Sequence, residues 1–210
     1  DSASLMWRLQ IYGAAAPYSL MKELNTQAAP AADNPGSVAF RDSHAALAFA
    51  VANDDESLTR MMDGLKAAAD KGDKLVGDVT LPLVSGITAF MHQDYDEAVR
   101  LMGPLFGNEA PYDQLSRIGG SHAQREVFED TLTEAYLRAG RFENAEALLE
   151  NRLKRRETPR DLFWLARAQQ ATGKPEAAEA SVQQVRNAWR NADPESQEIV
   201  ALSGLAESLS

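Results

Sequence analysis

Apolar and small residues recur along the second half of this chain with a period of 33 positions. The recurring set is Leu132, Tyr136, Gly140, Phe142, Ala145 and Leu149, followed by Leu165, Gln169, Gly173, Pro175, Ala178 and Val182. A helix pair of this length cannot bury its own apolar face, so each pair must stack on a neighbour. The pattern therefore predicts helical hairpins that stack into a curved α-solenoid.

The residue composition of the segments predicts an all-α fold along the whole chain. Alanine, leucine, glutamate and arginine fill long segments, and no segment alternates polar and apolar residues as a half-buried strand does. We expect a single domain, 1–210, of about five hairpins and a capping helix, with an Ala- and Pro-rich connector at 29–36. The hairpins are predicted near 3–28, 37–70, 80–106, 122–157 and 159–190, and the capping helix at 195–209.

Small residues mark the points at which paired helices are expected to cross. Ala145 and Ala178 occupy this position in the two clear repeats, and Gly86 and Ala98 match the template upstream. A small residue at this crossing and a period near 34 residues are typical of tetratricopeptide repeats. The sequence therefore predicts a right-handed, tetratricopeptide-like solenoid.

One interval departs from the repeat. Tyr95 and Phe142 match the same template position but lie 47 residues apart, so about 13 extra residues are expected between them. The extra residues predict an inserted loop at 107–121. Inserted loops in solenoids often carry function, because the regular helices already supply stability.

Charge and composition narrow the classes of partner. Thirty-one acidic and 21 basic residues give a net charge of −10, which opposes binding to nucleic acid and to anionic membranes. The chain contains no cysteine, and no stretch approaches the roughly 20 consecutive apolar residues of a membrane-spanning helix. We expect a cytoplasmic protein with no cofactor. Because the chain opens at Asp1 without a leader, a processing or proteolysis boundary is expected there.

Three stretches go beyond the repeat pattern: ASLMWRL at Ala3–Leu9, FRDSHA at Phe40–Ala45 and GGSHAQREVF at Gly119–Phe128. Together they resemble the C-terminal half of the tetratricopeptide repeat protein 38 family, which is found in bacteria and animals. The resemblance implies an α-helical repeat protein and no particular reaction or ligand. It also implies an N-terminal half that packs on the first helices near Trp7 and Leu9, where an apolar surface is expected.

Two histidines within these stretches are the candidates for chemistry, and Asp42, Gln124 and Arg125 are candidate binding residues beside them. His44 lies two residues after Asp42. A carboxylate beside an imidazole that titrates near neutrality suits general-base catalysis. His122 precedes Arg125 by three positions on one helix face, where the arginine can hold a carboxylate or phosphate. The alternative is structural, because Ser121 and Gln124 have the spacing of a capping box. No third ligand has a recognisable metal-binding spacing, so we predict no metal site.

The first helices of the last two hairpins predict a second candidate site. Under standard repeat geometry their concave face presents Asp130, Glu134, Arg138, Arg160, Phe163, Arg167 and Gln170. This mixture of charges with one aromatic residue suits an extended peptide better than a polyanion, although an ordinary solvated face is the alternative.

Two functions follow as hypotheses. The first is a non-enzymatic scaffold that binds a peptide or partner protein in this groove. The second is an enzyme or small-ligand-binding protein with a pocket around Asp42, His44, His122 and Arg125. A homodimer formed through exposed terminal helices is a further possibility.

Overall fold

The computed structural model describes residues 2–106 and 114–209. The prediction of an all-α fold is confirmed, since these residues form helices and turns and contain no strand. The long helices are α1 (Ser2–Ile11), α2 (Tyr18–Asp33), α3 (Ala39–Ala52), α4 (Asp55–Asp70), α5 (Leu81–Met91), α6 (Tyr95–Met102), α7 (His122–Arg138), α8 (Phe142–Arg155), α9 (Pro159–Ala171), α10 (Pro175–Ala188) and α11 (Gln197–Ser208).

The contacts between residues divide the chain into two compact units, Asp1–Ala135 and Tyr136–Ser210. In the first unit α2 packs on α3 and α5 packs on α6, and in the second unit α9 packs on α8 and α10. The prediction of one repeat domain over 1–210 stays a prediction.

Helix α3 lies at the centre of the first unit and packs on α1, α2, α4 and α5. It is rich in alanine, which lets neighbouring helices approach closely, and Phe49 fills the space between them without solvent exposure. Trp7 of α1 is also buried, and its ring meets that of Phe90 edge to face with centroids 5.5 Å apart. Its indole N–H donates to the Thr131 hydroxyl at 2.8 Å, so α1, α5 and α7 meet at this side chain.

The hairpin of α5 and α6 shows why a small residue is needed at a helix crossing. A Cβ atom on Gly86 would lie 2.3 Å from Cγ of Met102 and 3.5 Å from the carbonyl oxygen of Ala98. Asp94 begins α6 by accepting a hydrogen bond from the Glu97 amide at 3.1 Å. The predicted crossing at Gly86 and Ala98 is therefore present in this hairpin.

Asn53 and Asp54 join α3 to α4. Asn53 ends α3 in the left-handed region, with φ of 54°. The Asp54 carboxylate then accepts from the Ser57 amide at 2.9 Å and begins α4. Hydrogen bonds from Ser57 and Asn25 outweigh the opposing effect of burial and lower the pKa of Asp54.

The second unit shows the same burial and turn geometry at the starts of α8 and α10. Ala145 of α8 and Ala178 of α10 are both completely buried, and Gly140 and Gly173 make the preceding turns with φ of 69° and 74°. Gln169 accepts a buried hydrogen bond from the Ser181 hydroxyl at 2.9 Å, which ties α9 to α10. At the end of the chain, α11 packs against this pair through buried leucines.

Helix α2 is longer than the sequence predicts. The connector predicted at 29–36 is mostly helical, since α2 continues through Pro30 to Asp33. Proline removes one backbone hydrogen bond, but Pro30 itself is exposed while the next two residues, Ala31 and Ala32, are buried. Burial of these two alanines holds the helix together beyond the proline.

A π-helical turn, Val76–Thr80, leads into α5 and was not anticipated. The Leu81 amide donates to the Val76 carbonyl, five residues back. Pro82 has no amide hydrogen, and its ring would crowd the carbonyl of a regular α-turn. The wider turn leaves room for that ring.

The predicted inserted loop is only partly within the described residues. Positions 107–113 of the predicted loop at 107–121 lie outside them. Gln114–Ile118 forms a 3₁₀ turn that buries Leu115 and Ile118 in the first unit. Arg117 pairs with Asp78 of the π-helical turn at 3.2 Å. Residues 114–118 of the insertion therefore belong to the first unit.

Within the described ranges, no helix combines the length and the apolar character needed to cross a membrane.

Candidate functional site

Asp42 is completely buried in the first turn of α3 and is held by its immediate neighbours. One carboxylate oxygen accepts from the Gly36 amide at 2.7 Å, and the other accepts from Nε and Nη2 of Arg41 at 3.0 and 2.8 Å. Arg41 also donates to the Asn34 carbonyl and to the Ser37 hydroxyl, both at 2.8 Å. Asp42 therefore fixes the loop that joins α2 to α3.

His44 lies between two aromatic rings and two backbone carbonyls. Its ring centroid is 4.2 Å from that of Phe40 and 5.2 Å from that of Phe128. Nδ1 lies 2.9 Å from the Phe40 carbonyl oxygen, and Nε2 lies 3.3 Å from that of Gln124. A neutral imidazole has one N–H, so it donates to only one of them. His44 thus links α3 to the first turn of α7.

Burial and hydrogen bonding act in opposite directions on the pKa of His44. Removal of the ring from water disfavours the charged form, whereas the carbonyls of Phe40 and Gln124 favour it. Burial is the larger effect and lowers the pKa of His44.

Gly120, which precedes α7, is required at its position for steric reasons. Gly120 has φ of 73°, and a Cβ atom there would lie 2.2 Å from Cε2 of Phe40.

The predicted capping box begins at the next residue. The Ser121 amide donates to Oε1 of Gln124 at 2.8 Å, and the Gln124 amide donates to the Ser121 hydroxyl at 3.3 Å. Gln124, one of the predicted site residues, thus uses both its side chain and its carbonyl within the fold.

Arg125 and His122 occupy different surroundings on α7. Arg125 donates through Nη1 to the carbonyls of Gly119 and Gly120, so its side chain closes the turn that precedes its own helix. His122 is 43% exposed, and its Nε2 lies 3.7 Å from a carboxylate oxygen of Glu126, one turn along.

A cavity of about 270 Å³ opens beside His44 in the first unit. It is lined by Ser2, Ala3, Leu24, Gln27, Ala28, Pro30, Ala31, Arg41, His44, Ala45 and Ala48. The lining is mostly apolar, with Arg41, His44 and Gln27 as its long polar side chains. Asp42, His122 and Arg125 are not part of it. Of the four residues predicted to form a polar pocket, this cavity contains only His44.

The structure offers no metal-binding cluster at these positions. Across residues 2–106 and 114–209, no three His, Asp or Glu side chains are grouped so as to hold a metal ion.

Two residues of the predicted peptide groove lie in the first unit and are buried. Asp130 accepts from Arg8 Nε at 2.6 Å and from the Tyr12 hydroxyl at 3.2 Å. Burial opposes the charge of Arg8, but the Asp130 carboxylate outweighs it and raises the pKa of Arg8. Glu134, one turn further along α7, is only 5% exposed.

The other groove residues lie in the second unit. Arg138 is exposed at the end of α7, while Arg160, Arg167 and Gln170 of α9 are half-buried. Phe163 is buried, as is its neighbour Trp164, so both aromatic side chains contribute to the interior.

Contacts from α11 account for much of this burial. Glu198 accepts from Nη2 of Arg160 at 2.9 Å, and Phe163 belongs to one apolar cluster with Leu202 and Leu205. Gln170 donates to the Ser208 hydroxyl at 2.5 Å. The sequence predicts this capping helix but not its contacts with α9, since the separation of the two helices along the chain leaves no local signal.

Apolar side chains are exposed on the first two helices. Leu5, Tyr18 and Leu20 are between 44% and 76% exposed, whereas Trp7 is buried in its own unit and Leu9 is half-buried. An apolar surface was expected near Trp7 and Leu9, and the exposed residues are instead these three neighbours. Packing on a preceding half, or on a second copy, stays a prediction for this surface.

No family model and no solved structure matches the chain.

Proposed function

We propose that this chain is a protein-interaction scaffold whose hairpins stack as a tetratricopeptide-like solenoid. It binds a peptide on the face formed by the first helix of each hairpin. The observation that carries the proposal is the agreement between the sequence period and burial. Ala145 and Ala178 lie 33 positions apart and are both completely buried, and the Gly140 and Gly173 turns have nearly equal backbone angles. Recurrence of sequence and environment together is the property of a repeat protein.

The chemistry of the α9 face favours a peptide ligand. Arg160, Arg167 and Gln170 supply charge and an amide on the side of the helix that carries Phe163, and α11 already contacts Arg160, Phe163 and Gln170 there. A peptide needs such a combination, because its backbone offers both donors and acceptors and its side chains need an apolar contact.

The state of the candidate catalytic groups also favours a scaffold over an enzyme. Asp42 neutralises Arg41 and anchors a loop, and Arg125 closes a helix turn. Both ring nitrogens of His44 face backbone carbonyls. Groups that are engaged in this way stabilise the fold, and they would have to break those contacts to reach a substrate.

The test is a selection of peptides from a displayed random library against the whole chain, followed by fluorescence polarisation with the enriched sequences. Binding is expected to weaken at least fivefold in Arg167→Ala, because the variant removes a charge from the α9 face. Arg186→Ala is the matched control, since Arg186 is exposed on α10. The proposal fails if no sequence is enriched, or if both variants bind the enriched peptides equally well.

The cavity beside His44 favours a second candidate function, the binding of a small ligand in the first unit. Its mostly apolar walls, with Gln27 among the lining residues, suit a small molecule with an apolar body and one neutral polar group. Thermal-shift screening with short-chain alcohols and amides tests this. Ala28→Phe places a ring in the cavity and is expected to abolish any shift seen with the unmodified chain. A shift that survives this substitution would place the ligand elsewhere.

A further inference from the structure

Helix α11 contacts the predicted peptide-binding face of α9 at both ends. Arg160, in the first turn of α9, pairs with Glu198 in the first turn of α11 at 2.9 Å. Gln170, near the end of α9, donates to Ser208 at the end of α11. Both pairs are separated by 38 residues, so the two helices run side by side in the same direction and in register.

Apolar contacts fill the space between these polar ends. Phe163 shares one buried cluster with Leu202 and Leu205, which project from the same side of α11. The Trp189 ring closes the cluster, with its centroid 6.1 Å from that of Phe163. The Arg160 guanidinium lies 5.9 Å from the Trp189 ring centroid and so meets a carboxylate and an aromatic face together.

Three of the four α9 residues predicted to bind a peptide, Arg160, Phe163 and Gln170, therefore already contact a helix of the same chain. The α11 pattern that they meet is an acidic residue, leucines four and seven positions later and a serine ten positions later. This spacing places the four side chains on one helical face. A helix laid in an apolar groove is a common mode of peptide recognition.

We propose that α11 is an internal ligand of the α9 face, and that the partner of this scaffold presents an amphipathic helix with the same pattern, which displaces α11. The inference rests on the proposed scaffold function and specifies its ligand. The partner helix begins with an acidic residue that pairs with Arg160 and inserts two leucines beside Phe163.

Several features of α11 suit displacement. Leu202 and Leu205 are the two buried residues of α11, while its outer face exposes Val200 and Ala201. Gly204 lies within the helix with no atom within 4 Å of the place where a Cβ would stand, so packing does not require glycine there. Glycine inside a helix weakens it relative to alanine. A partner helix without this glycine would form the same contacts with a stronger helix.

The direct test uses a fluorescent synthetic peptide of residues 196–209 as the probe and the whole chain as the receptor. Leu202→Asp places a carboxylate in the apolar cluster and should release α11 from α9. The variant is expected to bind the peptide at least tenfold more tightly than the unmodified chain does. Val200→Asp is the matched control, because Val200 is 60% exposed, and it should bind as the unmodified chain does. Equal binding by Leu202→Asp and Val200→Asp would overturn the proposal.

A charge reversal tests the register. Arg160→Glu, combined with Leu202→Asp, is expected to weaken binding of the peptide at least fivefold. A peptide that carries Glu198→Arg should then recover the lost affinity. Failure of recovery would show that the peptide does not bind in the register of α11.

A stabilising substitution covers the case in which Leu202→Asp fails to fold. Gly204→Ala strengthens α11 without a steric conflict and is expected to weaken peptide binding by the otherwise unmodified chain about two- to fivefold. Unchanged binding in this variant would count against competition. An α11-exchanged dimer, detected by light scattering, would identify a second copy as the occupant and overturn the assignment to a partner.

These outcomes separate the two proposals. If the library peptides bind the unmodified chain and Leu202→Asp equally, α11 does not compete, and the scaffold function stands alone. If neither form enriches any peptide, the scaffold function itself fails.

Discussion

The indole nitrogen of Trp7 donates a hydrogen bond to the hydroxyl oxygen of Thr131 at 2.8 Å, across 124 residues of sequence. Both residues are buried, so neither group has water as an alternative partner. Thr131 in turn donates to the Val127 carbonyl at 2.8 Å, which orients its lone pairs toward the indole. This short chain of hydrogen bonds fixes α1 against α7.

Replacement of Thr131 by valine should therefore lower the free energy of unfolding by about 1–3 kcal/mol, because the buried Trp7 N–H would lose its acceptor. Thr133→Val is the matched control. Thr133 is equally buried, but its hydroxyl bonds only to the Glu129 carbonyl at 2.8 Å, so a cost of about 1 kcal/mol or less is expected. Urea denaturation measures both values, and equal losses would contradict a special role for the indole bond.

The crossing at Gly86 predicts a destabilising alanine. Gly86→Ala places a methyl group against Met102, and the overpacking is expected to cost about 1–3 kcal/mol in spite of the better helix propensity. Gly204→Ala has open space and should instead stabilise the chain by about 0.5–1 kcal/mol. Thermal unfolding of the two variants should shift the midpoint in opposite directions. A shift in the same direction would show that the crossing is not tightly packed.

Asp42 is predicted to act in stability and not in catalysis. Asp42→Ala removes the acceptor of the Gly36 amide and of the Arg41 guanidinium, and a loss of about 1.5–3 kcal/mol is expected. The exposed Asp63 is the control, and Asp63→Ala should change stability by about 0.5 kcal/mol or less. Chemical denaturation tests this. An unchanged stability in Asp42→Ala would return this carboxylate to the list of functional candidates.

The half-buried His44 predicts a loss of stability in mild acid. Because its pKa is lowered in the folded chain, the unfolded chain takes up a proton first as the pH falls below about 6.5. The stability present above that pH is then lost progressively until the folded chain also binds the proton.

His44→Gln cannot titrate, so its unfolding free energy should decrease less than that of the unmodified chain between about pH 7 and pH 5. Equilibrium denaturation across this range gives the difference in slope. A parallel decrease in the two proteins would mean that the pKa of His44 is not lowered on folding.

Local rules in the sequence predicted the capping box at the start of α7. The cap at Asp54 and the capping box of Ser121 and Gln124 depend on residues three positions apart, so the sequence alone contains the whole interaction. The crossing alanines, Ala145 and Ala178, were found because the repeat shows the same position twice. The extension of α2 through Pro30 was missed, because tertiary burial of the residues after it overrides the local effect of proline.

The candidate sites depended on contacts for which no local rule exists. Arg8 and Asp130 are 122 residues apart, and nothing in either stretch indicates the other. Phe163 was assigned to an exposed face from its position in the repeat, whereas α11 covers it. His44 was proposed as a general base from its neighbour Asp42, but the carboxylate pairs with Arg41 and the imidazole with backbone carbonyls.

During synthesis on the ribosome, Trp7 is added long before Thr131, its hydrogen-bond partner. At about 5–20 residues per second, roughly 6–25 s pass between the addition of the tryptophan and that of its partner. Throughout this interval the indole must remain without its native acceptor, in reach of chaperones and of other nascent chains. Gln169 and Ser181, by comparison, are 12 residues apart and can pair almost as soon as both have left the exit tunnel. The indole of Trp7 therefore waits longer for its native hydrogen-bond partner than the side chain of Gln169 does.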